Sequence, residues 1–401
     1  MNSLTRLRSL SLCAVTLVVA AASSSHAAVT VGNTNVQVGG FFSQGYLKSS
    51  KNNYPFEAKD GTWDFREMGL NVSTTVGSHL RLGAQGFAQR LGNYGDDKVI
   101  LDWAVADYNF RQEIGVRVGR IKYPKGLYGE ALDVDAIRPF VFLPTGLYSP
   151  VLRDFSSSFD GAMVYGTLST KSAGSFDYKV FYGDISMNTE QGIADFFTDT
   201  GIYANPGVAS LGIDYVAGAS VEWSTPVNGL RLHLSYSKLA KGQGRGAFAA
   251  APMLPALIEV NPDYITVGAE YAIDAWIFAA EWQRQKGDVT LQALPVLNRT
   301  SDFGQDSGYV SVVRRFGEKW EVGTYYSHTK ALDPAPGTPK AQSRMKDWTF
   351  AVRYNVNENV ILKAEYHSID GRYNVFNTTR TPNPVRSDSS SFWAVKSTFL
   401  F

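Results

Sequence analysis

The chain has 401 residues, with 38 Lys+Arg against 37 Asp+Glu, 37 glycines and 13 % aromatic residues. So even a charge gives no reason to expect nucleic acid as a partner. No run of 18 apolar residues occurs after residue 27. Helical membrane spans are thereby excluded, and a closed barrel is left as the one way this chain could cross a bilayer.

The first element is a leader. Arg6 and Arg8 precede an apolar stretch from Leu10 to Ala22, and Ser25-His26-Ala27 offers small residues where a signal peptidase cuts. The stretch is too short to span a membrane, so residues 1–27 read as a signal peptide and 28–401 as the mature domain. Removing the leader removes two basic residues and no acid, leaving 36 against 37, a net charge of −1. Cys13 goes with it, so neither a disulfide nor a thiolate metal site is expected.

The rest of the chain reads as strands. Alternation of apolar and polar residues predicts them near 36–48, 63–77, 79–91, 98–108, 112–122, 159–169, 175–185 and 212–224, then near 229–239, 263–273, 275–286, 306–316, 319–330, 346–356, 358–370 and 389–401. In "KVILDWAVADY" Val99, Leu101, Trp103 and Val105 fall on one face, with Asp102, Ala104 and Ala106 on the other. In "NVILKAEYHS" Val360, Leu362, Ala364 and Tyr366 oppose Lys363, Glu365 and His367. Each strand is near the ~9–11 residues that cross a bilayer at a tilt. Joints alternate between short (Gly77-Ser78, Asp274, Gly317-Glu318, Asn357) and long (49–62, 123–158, 186–211, 240–262, 287–305, 331–345, 371–388). Outer-membrane barrels have such short periplasmic turns and longer outer loops. The fold expected is all-β, a transmembrane antiparallel barrel of about sixteen strands, with both ends on the periplasmic rim.

The chain ends "SSSFWAVKSTFLF", with Trp393, Val395, Phe399 and Phe401 on one face and Lys396 and Thr398 on the other. A soluble protein would leave that face as an aggregating edge; a barrel turns it to lipid and closes it on "VQVGGFFSQGYLK", residues 36–48.

In this architecture the chain resembles the general bacterial outer-membrane porin family, sixteen-stranded and trimeric, over its whole mature length. The resemblance implies an outer-membrane location, contact with lipid and lipopolysaccharide, and a homotrimer. It also implies that Phe401 is the signal read by the barrel-assembly machinery. In that family the loop after the fifth strand, the third outer connection, folds into the lumen and narrows it. Here that loop is "KYPKGLYGEALDVDAIRPFVFLPTGLYSPVLRDFSSS", residues 122–158. Four prolines stiffen it, and Gly126, Gly129 and Gly146 permit tight turns. Phe140, Val141, Phe142 and Leu143 could anchor it to the wall. Its charges Lys122, Lys125, Glu130, Asp133, Asp135, Arg138, Arg153 and Asp154, with Arg81 and Arg117 on neighbouring strands, are the residues expected to line the constriction. Both signs occur on wall and loop, so charge preference is open.

All eight tryptophans fall within the expected strands and mostly phase with Leu and Val, as lipid-facing girdles do. A sugar-stacking path would need aromatics on the lumen face. The apolar segment 247–260 lies in a long outer loop without an assigned role. No catalytic motif, metal-ligand spacing or phosphate loop is present, and no cofactor is expected. His367 and Ser368 are adjacent, so on a strand they point to opposite faces and cannot act together. The function expected is passive diffusion of ions and small hydrophilic solutes. The alternatives are a porin specific for phosphate, a sugar or an organic acid, or a barrel that does not transport, such as an adhesin or receptor.

Overall fold

A computed structural model describes residues 28–153, 156–187, 189, 193–199 and 202–401. The proposed leader and Asp154 lie outside the described residues. No described helix is long and apolar enough to cross a membrane. The strands are β1 (Val29–Thr30), β2 (Gln37–Ser49), β3 (Phe65–Val76), β4 (Leu80–Leu91), β5 (Ile100–Arg111), β6 (Ile114–Lys122), β7 (Ser158–Thr170), β8 (Gly174–Ser186) and β9 (Tyr203–Ser224). They continue as β10 (Leu230–Phe248), β11 (Ala251–Val260), β12 (Asp263–Ile273), β13 (Trp276–Ala293), β14 (Leu297–Phe316), β15 (Trp320–Ala331), β16 (Arg344–Asn355), β17 (Val360–Gly371) and β18 (Ser389–Leu400). Among the described residues one α-helix, α1 (Ile193–Asp199), precedes β9.

Every neighbouring pair in the wall is antiparallel, and β18 pairs with β2 from Phe392↔Ser49 to Leu400↔Phe41, which closes the ring. Strand β1 pairs only briefly with β2. Strands β11 and β12 are two pieces of one wall strand, broken at Asn261-Pro262. Both pair with β10 on one side and β13 on the other. The barrel therefore has sixteen strands and no open edge.

The burial pattern is inverted relative to a soluble core. On β17 Lys363, Glu365 and His367 are buried, while Leu362 and Tyr366 are exposed; on β16 Trp348, Phe350 and Val352 are exposed. The polar side chains point inward, and the apolar ones form the face that lipid covers.

Three expectations change. The stretches 240–262 and 287–305 are not loops. Strands β10, β13 and β14 run on through them, with β11 between, to 19, 18 and 20 residues, and β9 starts at Tyr203 within the expected loop 186–211 and runs 22. A crossing needs ~9–11, so this wall projects beyond the bilayer. Segment 247–260 is the end of β10, the turn after it and β11, with Ile258 paired to Leu291. Trp63 precedes β3 and is exposed rather than within a strand. On β5 a bulge intervenes: Gln85 pairs with Trp103 and Gly86 with Leu101, leaving Asp102 unpaired. The extra residue reverses the alternation. Leu101 faces out, while Asp102 is buried inside; Trp103 and Val105, expected on the lipid side, line the interior.

Candidate functional site

The described part of residues 123–157 crosses the interior, and carboxylates on opposite walls hold it. After Lys122, Gly126 turns the chain at φ +66°, so close to the wall that a Cβ would meet Tyr148 and Glu281. Glu281 of β13 then accepts the Leu127 amide at 2.7 Å and the hydroxyls of Tyr148 and Tyr309. Burial, then the Glu281 charge, pushes the Tyr148 hydroxyl pKa well above its ordinary value. Two short 3-10 turns, Gly129–Ala131 and Asp135–Ile137, carry the segment to the opposite wall.

That wall is built from β16, β17 and β18. Lys363 pairs with Asp135 at 2.9 Å and donates to the carbonyls of Asp135 and Phe140. The Thr398 hydroxyl donates to Asp135 at 2.6 Å. Burial alone would raise the Asp135 carboxyl, but Lys363, Lys396 and Arg138 outweigh it and hold the group well below the usual carboxylate range. Glu365 accepts the amides of Val141 at 2.7 Å and Phe142 at 3.1 Å. Its other neighbour is His367, which also reaches Asp347. Apolar packing seats the same stretch: Phe140 lies edge-on to Tyr325, and Phe142 stacks on Phe65 at 5.2 Å. On the return, Arg153 lies 3.8 Å over the Phe87 ring and pairs with the buried Asp102.

Beneath this segment is a cavity of about 520 Å³. Its lining carries eight basic residues (Arg81, Arg117, Lys122, Arg138, Lys179, Arg231, Arg315, Arg353) and seven acidic ones (Asp107, Glu130, Asp133, Asp177, Glu222, Glu270, Glu321). Most are paired: Arg117 with Asp107 at 2.7 Å, Lys122 with Asp133 at 2.8 Å, Lys179 with Glu130, Arg231 with Glu222 and Glu270, and Arg315 with Glu321. Arg81 and Arg138 have no carboxylate within ion-pair distance among the described residues.

Of the residues singled out in the sequence, Arg81, Arg117, Lys122, Glu130, Asp133 and Arg138 meet at this cavity. Lys125, Asp135 and Arg153 do not. Asp135 and Arg153 are buried anchors. Lys125 points to the outer side, its amine bonded to the Leu147 carbonyl. Glu281, Glu365 and Lys363 were legible only as lumen-side charges. That they grip the crossing segment depends on partners more than 130 residues away, or more than 220 for Glu365 and Lys363.

Above the segment, three outer connections interlock. Asn53 and Asn383 exchange hydrogen bonds at 2.8 and 3.0 Å, as do Asn52 and Ser387 at 2.9 and 2.8 Å. Asp199 of α1 takes Arg380 at 2.6 Å and the Thr379 hydroxyl.

A closed sixteen-stranded barrel with an apolar exterior and a charged interior is an outer-membrane channel. Residues 14–374 match the family model described as Gram-negative porin, and the chain belongs to that family. No curated protein matches it in sequence. Among solved structures, OmpF of Salmonella typhi in complex with daunomycin is 12 % identical, with 94 % of this chain and 100 % of that one covered and a TM-score of 0.59. OmpT of Vibrio cholerae is 14 % identical over 93 % and 100 %, with a TM-score of 0.55. The anion-selective porin from Comamonas acidovorans is 13 % identical over 92 % and 100 %, with a TM-score of 0.53. At these identities the likeness is one of fold.

Proposed function

We propose that the protein is a diffusion channel, passing ions and small hydrophilic solutes through a neck between segment 123–157 and the wall. The observation that carries this reading is the 520 Å³ cavity beneath the segment, lined by fifteen charged side chains of nearly balanced sign. A polar lining in which most charges are already paired favours passage over tight capture of an ion. Arg81, Arg117, Lys122, Glu130, Asp133 and Arg138 set the local field in the neck. The mature chain begins after Ala27, passes through the barrel-assembly machinery with Phe401 as its signal, and sits in lipid and lipopolysaccharide as a homotrimer. One structural neighbour is described as a trimer form of OmpT of Vibrio cholerae, which supports that last point.

The test is conductance in a planar bilayer. Refolded protein should give stable ohmic steps, and deleting residues 139–150 should enlarge them without preventing insertion, since no strand is touched. A barrel that inserts but passes no current would mean an adhesin or receptor instead. A deletion that leaves the step size unchanged would remove the segment from the neck.

A further inference from the structure

A second cavity, of about 430 Å³, lies on the outer side of segment 123–157, below the interlocked outer loops. Its chemistry differs from that of the inner one. Among the described residues lining it, Lys125 is the only charged one. That ammonium is occupied: it donates to the Leu147 carbonyl at 3.0 Å and lies 5.3 Å from the Tyr264 ring. The remaining lining is aromatic, hydroxyl, amide and aliphatic, with Val151, Leu152, Val260 and three prolines among the last.

The amides form a row. Gln283 and Gln285 share one face of β13, and Gln305 sits opposite Gln285 on β14. Each is half used. Gln283 Oε1 accepts from Thr266, Gln285 Nε2 donates to the Tyr264 hydroxyl at 3.1 Å, and Gln305 Nε2 donates to the Gly146 carbonyl at 3.2 Å. The other ends, one NH₂ and two carbonyl oxygens, have no protein partner among the described residues. Across the cavity the outer loops contribute aromatic rings, Tyr94 and Tyr373 among them. The Tyr373 hydroxyl likewise has no partner among the described residues.

We propose that this outer cavity is a binding subsite for a neutral sugar, met by a solute before it reaches the charged neck. A pyranose has apolar C–H faces that pack on aromatic rings and hydroxyls that both donate and accept, which matches rings facing a row of half-used amides. An ion would lose hydration there and gain no free counter-charge from the described residues. The volume falls in the ~300–1,000 Å³ range of small-molecule sites. The strand tryptophans mostly face outward; the rings a sugar would stack on come instead from the loops and from β12 to β14.

The route of entry rests on the channel reading, but the binding does not, so two measurements separate them. Calorimetric titration of the detergent-solubilised full-length barrel with maltose should give saturable binding in the ~millimolar range, and potassium glucuronate should give none. Tyr373→Leu and Gln285→Leu, each checked for heat-modifiable mobility, should weaken maltose binding about tenfold apiece, the scale of one lost contact. In bilayers maltose added from the outer side should interrupt the current, and less so in the variants. Saturable maltose binding without conductance would keep the subsite and sink the channel. The subsite is overturned if maltose does not bind, if glucuronate binds as well, or if both folded variants bind maltose like the parent.

Discussion

Glu365→Ala should loosen the crossing segment without unfolding the barrel. The carboxylate is buried, and it receives the Val141 and Phe142 amides at 2.7 and 3.1 Å. Truncation leaves two buried N–H groups without an acceptor, at roughly 1–3 kcal/mol each. The seat of residues 140–142 is then weaker by about 2–6 kcal/mol, which multiplies the released population by ~30-fold or more, since each 1.4 kcal/mol is tenfold. Release is partial. Lys363 still holds the Asp135 and Phe140 carbonyls, and the Phe142 ring keeps its place against Phe65. The β17 ladder is untouched, so folded yield and heat-modifiable mobility should match the parent. Single-channel records should show a second, larger conductance level and more open-state noise. Glu365→Gln retains an oxygen acceptor and should fall between the two. A folded Glu365→Ala channel with the parent's conductance and noise would refute the claim that this carboxylate holds the neck in shape.

Three further expectations follow from the same geometry. Arg81→Glu should shift the reversal potential in a salt gradient toward cations more than Arg117→Glu does, because Arg117 is already paired with Asp107 whereas Arg81 faces no carboxylate at pairing distance. The difference should shrink from 0.1 M to 1 M salt as screening tightens from ~10 to ~3 Å. Burial pushes the Lys125 amine down to about 8 from 10.5, against the pull of Glu281. Between those values the folded protein binds fewer protons than the unfolded chain, so stability rises with pH across that window. Lys125→Met should therefore melt higher than the parent at pH 7, with the gap closing toward pH 10.5 in thermal unfolding; a gap independent of pH would contradict this. Phe401 exchanges backbone hydrogen bonds with Gly40 at 2.8 and 3.0 Å, and a Cβ on Gly40 would lie 2.6 Å from its ring. Deleting Phe401, or changing Gly40 to Val, should lower refolded yield by gel shift.

Strand identity was legible because it is a local property. Alternation with period 2 needs no partner to be seen, and "NVILKAEYHS" already separates Leu362 and Tyr366 from Lys363, Glu365 and His367. The even strand number, the rim of short turns and the closing partner of residues 389–401 follow from counting such stretches. What counting cannot carry is a change of phase. The bulge at Asp102 turns Trp103 and Val105 inward because β4 sets the register there, and nothing within β5 announces it. Nor could local pattern show that β10, β13 and β14 run on past the bilayer. Pro252 and Pro255 argue against a strand until β10 supplies a partner along β11, with β13 joining from Leu257 onward. The grip of Glu281, Glu365 and Lys363 on segment 123–157 joins residues from distant parts of the chain. A lone Glu or Lys on a polar face reads as solvated until the fold brings a buried backbone amide or carbonyl to it. Outside the bulge on β5, the sequence alone determined which faces meet lipid and which meet water; the tertiary structure decided which of the inner charges stay in water and which are spent holding the loop.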